Sequence, residues 1–408
     1  MPTGSLKLEF GGLKLEHRRP RPREHGSGVA AAPEGLWRAR LQVFTMGGAG
    51  QFPIITRSHL SESRLSVTFV ESVHRDRGEP PPFFQVIGKN KSLTVNRNRS
   101  IMKTIRIHSF GDASVLTTED APRPMPGDHQ ILIRVCAASV NPIDYKIRSG
   151  SFTRPDITLP VTLGRDVAGT IEAMGKKVVG FDLGDDVFAF LSKNSGGYAE
   201  YALAEENEIA PKPETLDFVA AAAVPLAAIT AWQGLFDYGE LEEGQRVLIH
   251  GAAGGVGLFA VQFAKVRGAT VIATGRKEDI ALLRQLGADQ TIDYLAEKFE
   301  DRVKDVDLVL DLVGGETQER SWAVLRKGGR LISTLKQPSE EKARQCAATG
   351  KVFMAKAKAD QLRTIGRLID EGSVVVHVEK TMPLDHAREA HDCLEHEHTQ
   401  GKIVLTVT

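Results

Sequence analysis

"LIHGAAGGVGLFAVQFAK", residues 248–265, decides how the rest of the chain is read. Arg246-Val247-Leu248-Ile249 reads as a buried parallel strand, and Val256, Phe259, Ala260, Phe263 and Ala264 recur on one face of a helix. The glycines between them therefore stand at a strand-to-helix turn. The N–H groups and dipole of a helix N-terminus attract an anion there, most often a phosphate, and side chains would keep it away. Ala252-x-Gly254-x-x-Gly257, with Gly255 and Val256 inside it, keeps the spacing of the dinucleotide fingerprint with alanine in its first position. The competing reading is a glycine turn that only lets a helix pack closely on a sheet.

A second strand, Thr270 to Thr274, follows at the length of one βαβ unit. An NAD-selective site places an acid at its end, but this chain has Gly275-Arg276-Lys277. A carboxylate repels a 2′-phosphate and a guanidinium fork holds one, so these residues point to NADPH as the cofactor. The alternative is that Arg276 and Lys277 only decorate a surface loop.

The chain has 408 residues, enough for two domains and a tail, and its 41% hydrophobic and 25% charged content is that of a globular protein. A net charge of zero offers no bulk electrostatic reason to expect nucleic acid or a membrane as partner. Cys136, Cys346 and Cys393 are too few and too scattered for a disulfide framework or a four-thiolate zinc site, which fits a reducing, cytoplasmic location. The longest apolar run, Phe218 to Leu235, is interrupted by Pro225 and reads as core helices rather than a membrane span.

Residues 1–100 hold 16 Lys and Arg against 8 Asp and Glu, whereas the remainder is acidic. Segments such as "HRRPRPREHGSG" lack sustained periodicity and are rich in Pro, Gly and Arg. Residues 1–101 are expected to be a disordered basic extension, either an interaction arm or a stretch outside the working protein, since Met102 opens the strand-like "MKTIRIHSFG". From there to Pro225 the pattern is mostly β. Beyond it "QRVLIHG", "ATVIATG", "VDLVLDLVG" and "GGRLISTL" look like successive parallel strands with helices between them. Near the end, a helix is expected to stop near Gly401 before a last strand.

"SVNPIDYKIRSG", "LGRDVAG", "GGYAEY", "PLAAITAWQGL", "GAAGGVG" and "GKIVL" occur in an order that resembles the medium-chain dehydrogenase/reductase superfamily, and within it the zinc-free quinone oxidoreductase branch. The resemblance covers residues 102–408. It implies an α/β fold: a β-rich GroES-like catalytic domain over 102–225, completed by about 361–408, and a Rossmann domain, a doubly wound parallel sheet, over 226–360. It also implies a cofactor in the cleft between them and a homodimer or homotetramer.

Zinc-dependent relatives place a Cys ligand where this chain has Asn141, and Gly-His-Glu where it has Gly164-Arg165-Asp166, so no metal site is expected. Without a Lewis acid, alcohol oxidation is disfavoured, whereas the charge formed on reducing a quinone or an α,β-unsaturated carbonyl is delocalised. The resemblance implies that Asn141 and Asp144 line the nicotinamide and substrate pocket, with Tyr145 or Lys146 as proton donor or oxyanion partner. The alternative reading makes Asn141 a turn former before Pro142 and Asp144 a helix N-cap. Arg165 and Asp166 are read as partners of each other without a proton-transfer role, and Tyr198 as either a cofactor contact or core. Toward the cofactor the resemblance carries Pro225, Leu226, Thr230, Tyr294, Leu312, Val313, Gly314 and Lys402. His386, His391, His396 and His398, interleaved with glutamates, read as a solvated helix face. Three function classes follow: an NADPH-dependent reductase of quinones or enones, a nucleotide-binding regulator or RNA- or protein-binding module with little turnover, and a zinc-independent alcohol or aldehyde reductase.

Overall fold

The computed structural model describes residues 101–152, 157–191 and 195–407, and in the first hundred residues five short strands. Leu6–Phe10 pairs antiparallel with Leu13–His17, and Arg64–Val67 with both Ser58–Ser61 and Ser92–Leu93. The expectation of a disordered head otherwise falls outside the described residues. Met1–Asn98 and Arg99–Thr408 form two separate compact units.

Within the second unit, six strands make one parallel sheet in the order Gln290–Asp293, Thr270–Gly275, Arg246–His250, Val306–Asp311, Leu325–Ser333 and Thr349–Val352. The order reverses between Arg246–His250 and Val306–Asp311, and a ligand crevice opens at the carboxyl ends of strands at such a switch point. The four strands marked in the sequence are the middle of this sheet. Its edges, "QTID" and "TGKV", are too short and polar to show an apolar pattern.

The helix Gly255–Val266 follows the first of these strands. Its Phe259, Ala260, Phe263 and Ala264 are buried, as their spacing predicts. They pack against the Ala-rich run, which is broken into helices Phe218–Ala222 and Pro225–Trp232. Pro225 opens the second helix, where its missing N–H costs nothing. Trp232 meets Phe263 edge-on at 5.3 Å between ring centroids. Among the described residues no helix is long and apolar enough to cross a membrane.

The other sheet runs Ile209–Pro211, Asp186–Phe190, Asp166–Met174, Gln130–Val140, Lys402–Thr406 and Val378–Pro383, with Tyr201–Glu205 also pairing Gln130–Val140. Lys402–Thr406 lies antiparallel to Gln130–Val140, with Ile403 opposite Val140. The last strand of the chain thus closes the sheet begun near residue 130. A smaller sheet of Thr117–Pro122, Ile101–Ile107 and Val161–Thr162 completes this β-rich half. The helix Ala387–His396 stops before Gly401, whose φ of 94° suits glycine.

Candidate functional site

The turn that opened the sequence reading stands at the carboxyl end of strand Arg246–His250. Gly254 is the N-cap of the helix and brings no capping side chain to the N–H groups of the first turn, and it pairs in parallel with Gly401. A Cβ on Gly257 would lie 2.3 Å from the carbonyl oxygen of Gly251, and one on Gly255 2.6 Å from Lys402 Cδ. At Gly254 the nearest atom would be 3.5 Å away, so the fold leaves room for a side chain there. Ala252 is buried and its N–H donates to the carbonyl of Thr274 at 3.1 Å, which locks the turn to the second strand. Phosphates fit a cradle of this kind.

Gly275 ends that second strand against the loop it enters, since a Cβ there would lie 2.9 Å from Leu283. Arg276 is half-exposed and Lys277 exposed. Arg276 Nε donates to the hydroxyl of Tyr294 at 3.0 Å, and this bond holds the guanidinium above its usual basicity. The structure thus brings together the three residues read as a 2′-phosphate site. On the far side of the switch point, Val313 is exposed and Leu312 half-buried beside Gly251, and Gly314 takes a φ of 76°. Thr230 is buried and its hydroxyl donates to the carbonyl of Leu226 at 2.7 Å.

The two halves meet in a buried polar network. Asn141 closes strand Gln130–Val140 and caps helix Pro142–Arg148. Its Nδ2 donates to Asp166 Oδ2 at 2.9 Å and toward the carbonyl of Ser139 at 3.4 Å, and its Oδ1 accepts from Lys402 Nζ. Asp166 also accepts from Ser139 Oγ and from the Leu226 N–H, each at 2.7 Å, and lies 3.5 Å from the Lys402 ammonium. Lys402 is 4% exposed, and burial lowers its basicity against the pull of Asp166 and Asp144. The neighbouring Gly401 N–H donates to the carbonyl of Ala253 at 3.0 Å. Lys402 is thereby seated against the glycine turn and Asn141 at once.

Asp144 lines a small cavity with Ile147, Leu163 and Gly164. It has no exposed surface and turns inward, accepting from the N–H of Asn141 at 2.8 Å, that of Gly164 at 3.2 Å and the hydroxyl of Tyr198 at 3.2 Å. It is the third helical residue and reaches back to the cap, so it also closes the start of the helix. Burial pushes its carboxyl up to about 6, against the lowering effect of the Asn141 N–H. Tyr198 is core. Its hydroxyl also meets His391 Nε2 at 3.2 Å, and His391 Nδ1 meets Arg148 Nη1 at 3.2 Å. Tyr145 and Lys146 are half-buried on the same helix.

His391 corrects the reading of the histidine stretch as solvated, because it is fully buried and burial drops its imidazole to about 3. The signal was available: Ala387, Ala390, His391 and Leu394 follow helical apolar spacing, with histidine on the inward face. Asp166 is expected from the sequence to pair with Arg165 inside the domain interface, but its bonds to Ser139, Asn141, Leu226 and Lys402 have no signal there. No local pattern marks a residue whose partners lie 25, 60 and 236 positions away in sequence.

Residues 127–214 match the alcohol dehydrogenase GroES-like domain family and residues 286–405 the family named zinc-binding dehydrogenase. A quinone oxidoreductase of Rattus norvegicus is 35% identical over 325 residues, covering 75% of this chain and 98% of that protein. The chloroplastic NADPH-dependent alkenal/one oxidoreductase of Arabidopsis thaliana is 35% identical over 335 residues, 77% of this chain and 82% of its own length. The solved quinone oxidoreductase of Coxiella burnetii superposes with a TM-score of 0.71 at 36% identity, covering 76% of this chain and all of that one. The order of motifs, the paired sheets and these likenesses agree: the chain belongs to the medium-chain dehydrogenase/reductase superfamily, in its quinone oxidoreductase branch.

Proposed function

We propose that the protein is a zinc-free, NADPH-dependent reductase of quinones or α,β-unsaturated carbonyl compounds. The observation that carries this reading is the network of Asn141, Lys402 and Asp166. At the positions where zinc-dependent relatives set a Cys and a His-Glu pair, this chain has Asn141, whose amide is in use at both ends, Arg165 and Asp166, which accepts from several donors, and the Lys402 ammonium packs beside Asn141 and Asp166. That set suits a buried lysine. It does not suit zinc, which takes three or four sulfur, nitrogen or oxygen ligands of its own in a tetrahedral arrangement. A conjugated acceptor spreads its developing charge over the ring or enone, so hydrogen bonds can replace a Lewis acid. The printed names of the relatives, quinone and alkenal/one oxidoreductases, support the same substrate class.

The residues fit NADPH. The turn Gly254–Gly257 would hold the pyrophosphate, Arg276, Lys277 and Tyr294 the 2′-phosphate, and Leu312 and Val313 an apolar edge of the crevice. NADPH, when bound, supplies the hydride. Asn141 and Lys402 hold the seam between the halves closed to water, since each is nearly fully buried. Burial and the negative charge of Glu395 raise the Tyr145 phenol, which therefore stays protonated at neutral pH. We assign Tyr145, with Lys146 as its neighbour, to donate a hydrogen bond or proton to the reduced oxygen.

Steady-state oxidation of NADPH and NADH by the full-length, chelator-treated protein tests this, with an ortho-quinone and a 2-alkenal as acceptors. NADPH-preferred turnover that survives chelation is expected. Activity lost on chelation and restored by zinc would overturn the zinc-free reading. No turnover with either acceptor, despite NADPH binding, would favour a nucleotide-binding regulator.

A further inference from the structure

The second strand ends without an acid, but one stands a short way beyond it, in the turn Lys277–Asp279. Asp279 follows Gly275 by four residues, in the loop that carries Arg276 and Lys277, and is completely buried. Its Oδ2 accepts from the Arg276 N–H at 2.7 Å. Its Oδ1 accepts from His398 Nε2 at 2.9 Å and from Gln400 Nε2 at 2.8 Å. Both donors come from the segment between helix Ala387–His396 and strand Lys402–Thr406, which belongs to the other sheet. The same segment continues through Gly401, bonded to Ala253, and Lys402, bonded to Asn141. His398 to Lys402 thus form a strap across the phosphate turn and the Arg276 loop.

We propose that His398 and Gln400 are positioning residues for cofactor choice, which hold the Asp279 carboxylate away from the ribose and so leave Arg276 and Tyr294 to receive a 2′-phosphate. The proposal rests on the reading of Arg276, Lys277 and Tyr294 as the phosphate site. A carboxylate free at this point in the fold accepts a ribose 2′-hydroxyl and repels a 2′-phosphate. Without the strap Asp279 keeps the Arg276 N–H on Oδ2 but loses both donors to Oδ1, and a buried carboxylate with one oxygen unpaired is pulled toward water. Asp279 without the strap would turn toward water and toward the Arg276 guanidinium, which already has Glu278 at 3.9 Å. The cation would then be drawn off the phosphate, and the carboxylate would face the hydroxyl of NADH.

Calorimetric titration of the full-length protein with NADPH and with NADH tests this on wild type, Gln400→Ala, His398→Ala, the double variant and Arg276→Ala. A strap that merely glued the halves together would weaken both nucleotides alike. The proposal expects the preference for NADPH over NADH to narrow in the double variant by about five- to tenfold. Gln400→Ala, which leaves His398 on Asp279, is expected to show part of this effect. His398→Gln, which keeps a donor, is expected to retain the wild-type preference. If Arg276→Ala narrows the preference and the strap variants do not, the strap has no part in cofactor choice and the phosphate reading stands. If Arg276→Ala leaves the preference unchanged, the phosphate reading fails and the proposal falls with it.

Discussion

Lys402 carries its charge into a place with almost no water, and it is held there by the Val140 carbonyl at 3.3 Å, Asn141 Oδ1 and the Asp166 carboxylate. Removing one member of such a set leaves the other charge buried and unpaired, which is costlier than removing both. Lys402→Met is therefore expected to destabilise the protein by about 3 kcal/mol in urea unfolding. Adding Asp166→Asn should recover part of that loss. A double variant no more stable than Lys402→Met would show that the two side chains are not coupled. Asn141 and Lys402 could be singled out from their motifs, but their bond to each other could not, because 261 positions separate them.

At the level of elements, the strand-turn-helix unit separates two demands that glycine meets. Gly257 is required by the fold, because its Cβ would press on backbone atoms of Gly251 and Ala252 that cannot swing away. Gly254 has room for a Cβ, and under the proposed function it is kept bare for the cofactor. Gly257→Ala is expected to cost about 1–3 kcal/mol of stability, as overpacking does. Gly254→Ala should leave the urea midpoint unchanged while weakening NADPH binding, read by fluorescence titration. Equal stability losses in both variants would mean that Gly254 too serves only packing. This unit was legible in the sequence because its signals are local: apolar run, glycine spacing and helical periodicity fall within about 20 residues. The edge strands Gln290–Asp293 and Thr349–Val352 were not, since their partners rather than their composition make them strands.

Across the whole molecule, buried titratable groups set how stability responds to pH. Burial lowers His250 to about 4, between the hydroxyls of Thr274 and Ser321, and His391 to about 3. A histidine depressed from 6.5 contributes stability that is present above that value and is lost as pH falls through its folded value. Asp144, raised from 3.8 to about 6, acts in the opposite sense: its contribution is present below 3.8 and is lost as pH rises through 6. Two histidines against one aspartate predict a net loss of stability between pH 6.5 and 4 in thermal melts. His250→Gln, which can still bridge Thr274 and Ser321, should flatten that acid limb, and an unchanged slope would remove His250 as its source.

The sequence by itself determined the α/β class, the parallel and mostly β halves, the glycine turn between strand and helix and the family, because each rests on periodicity or on motifs a few residues long. Only the tertiary structure decided that Asp144 and His391 are buried, that Asp166 joins the two halves, and that Asp279, just beyond the second strand, is turned inward by His398 and Gln400. These facts depend on contacts between residues far apart in the chain. A side chain's burial and partners are properties of the packed interior, and no stretch of neighbouring residues encodes them alone.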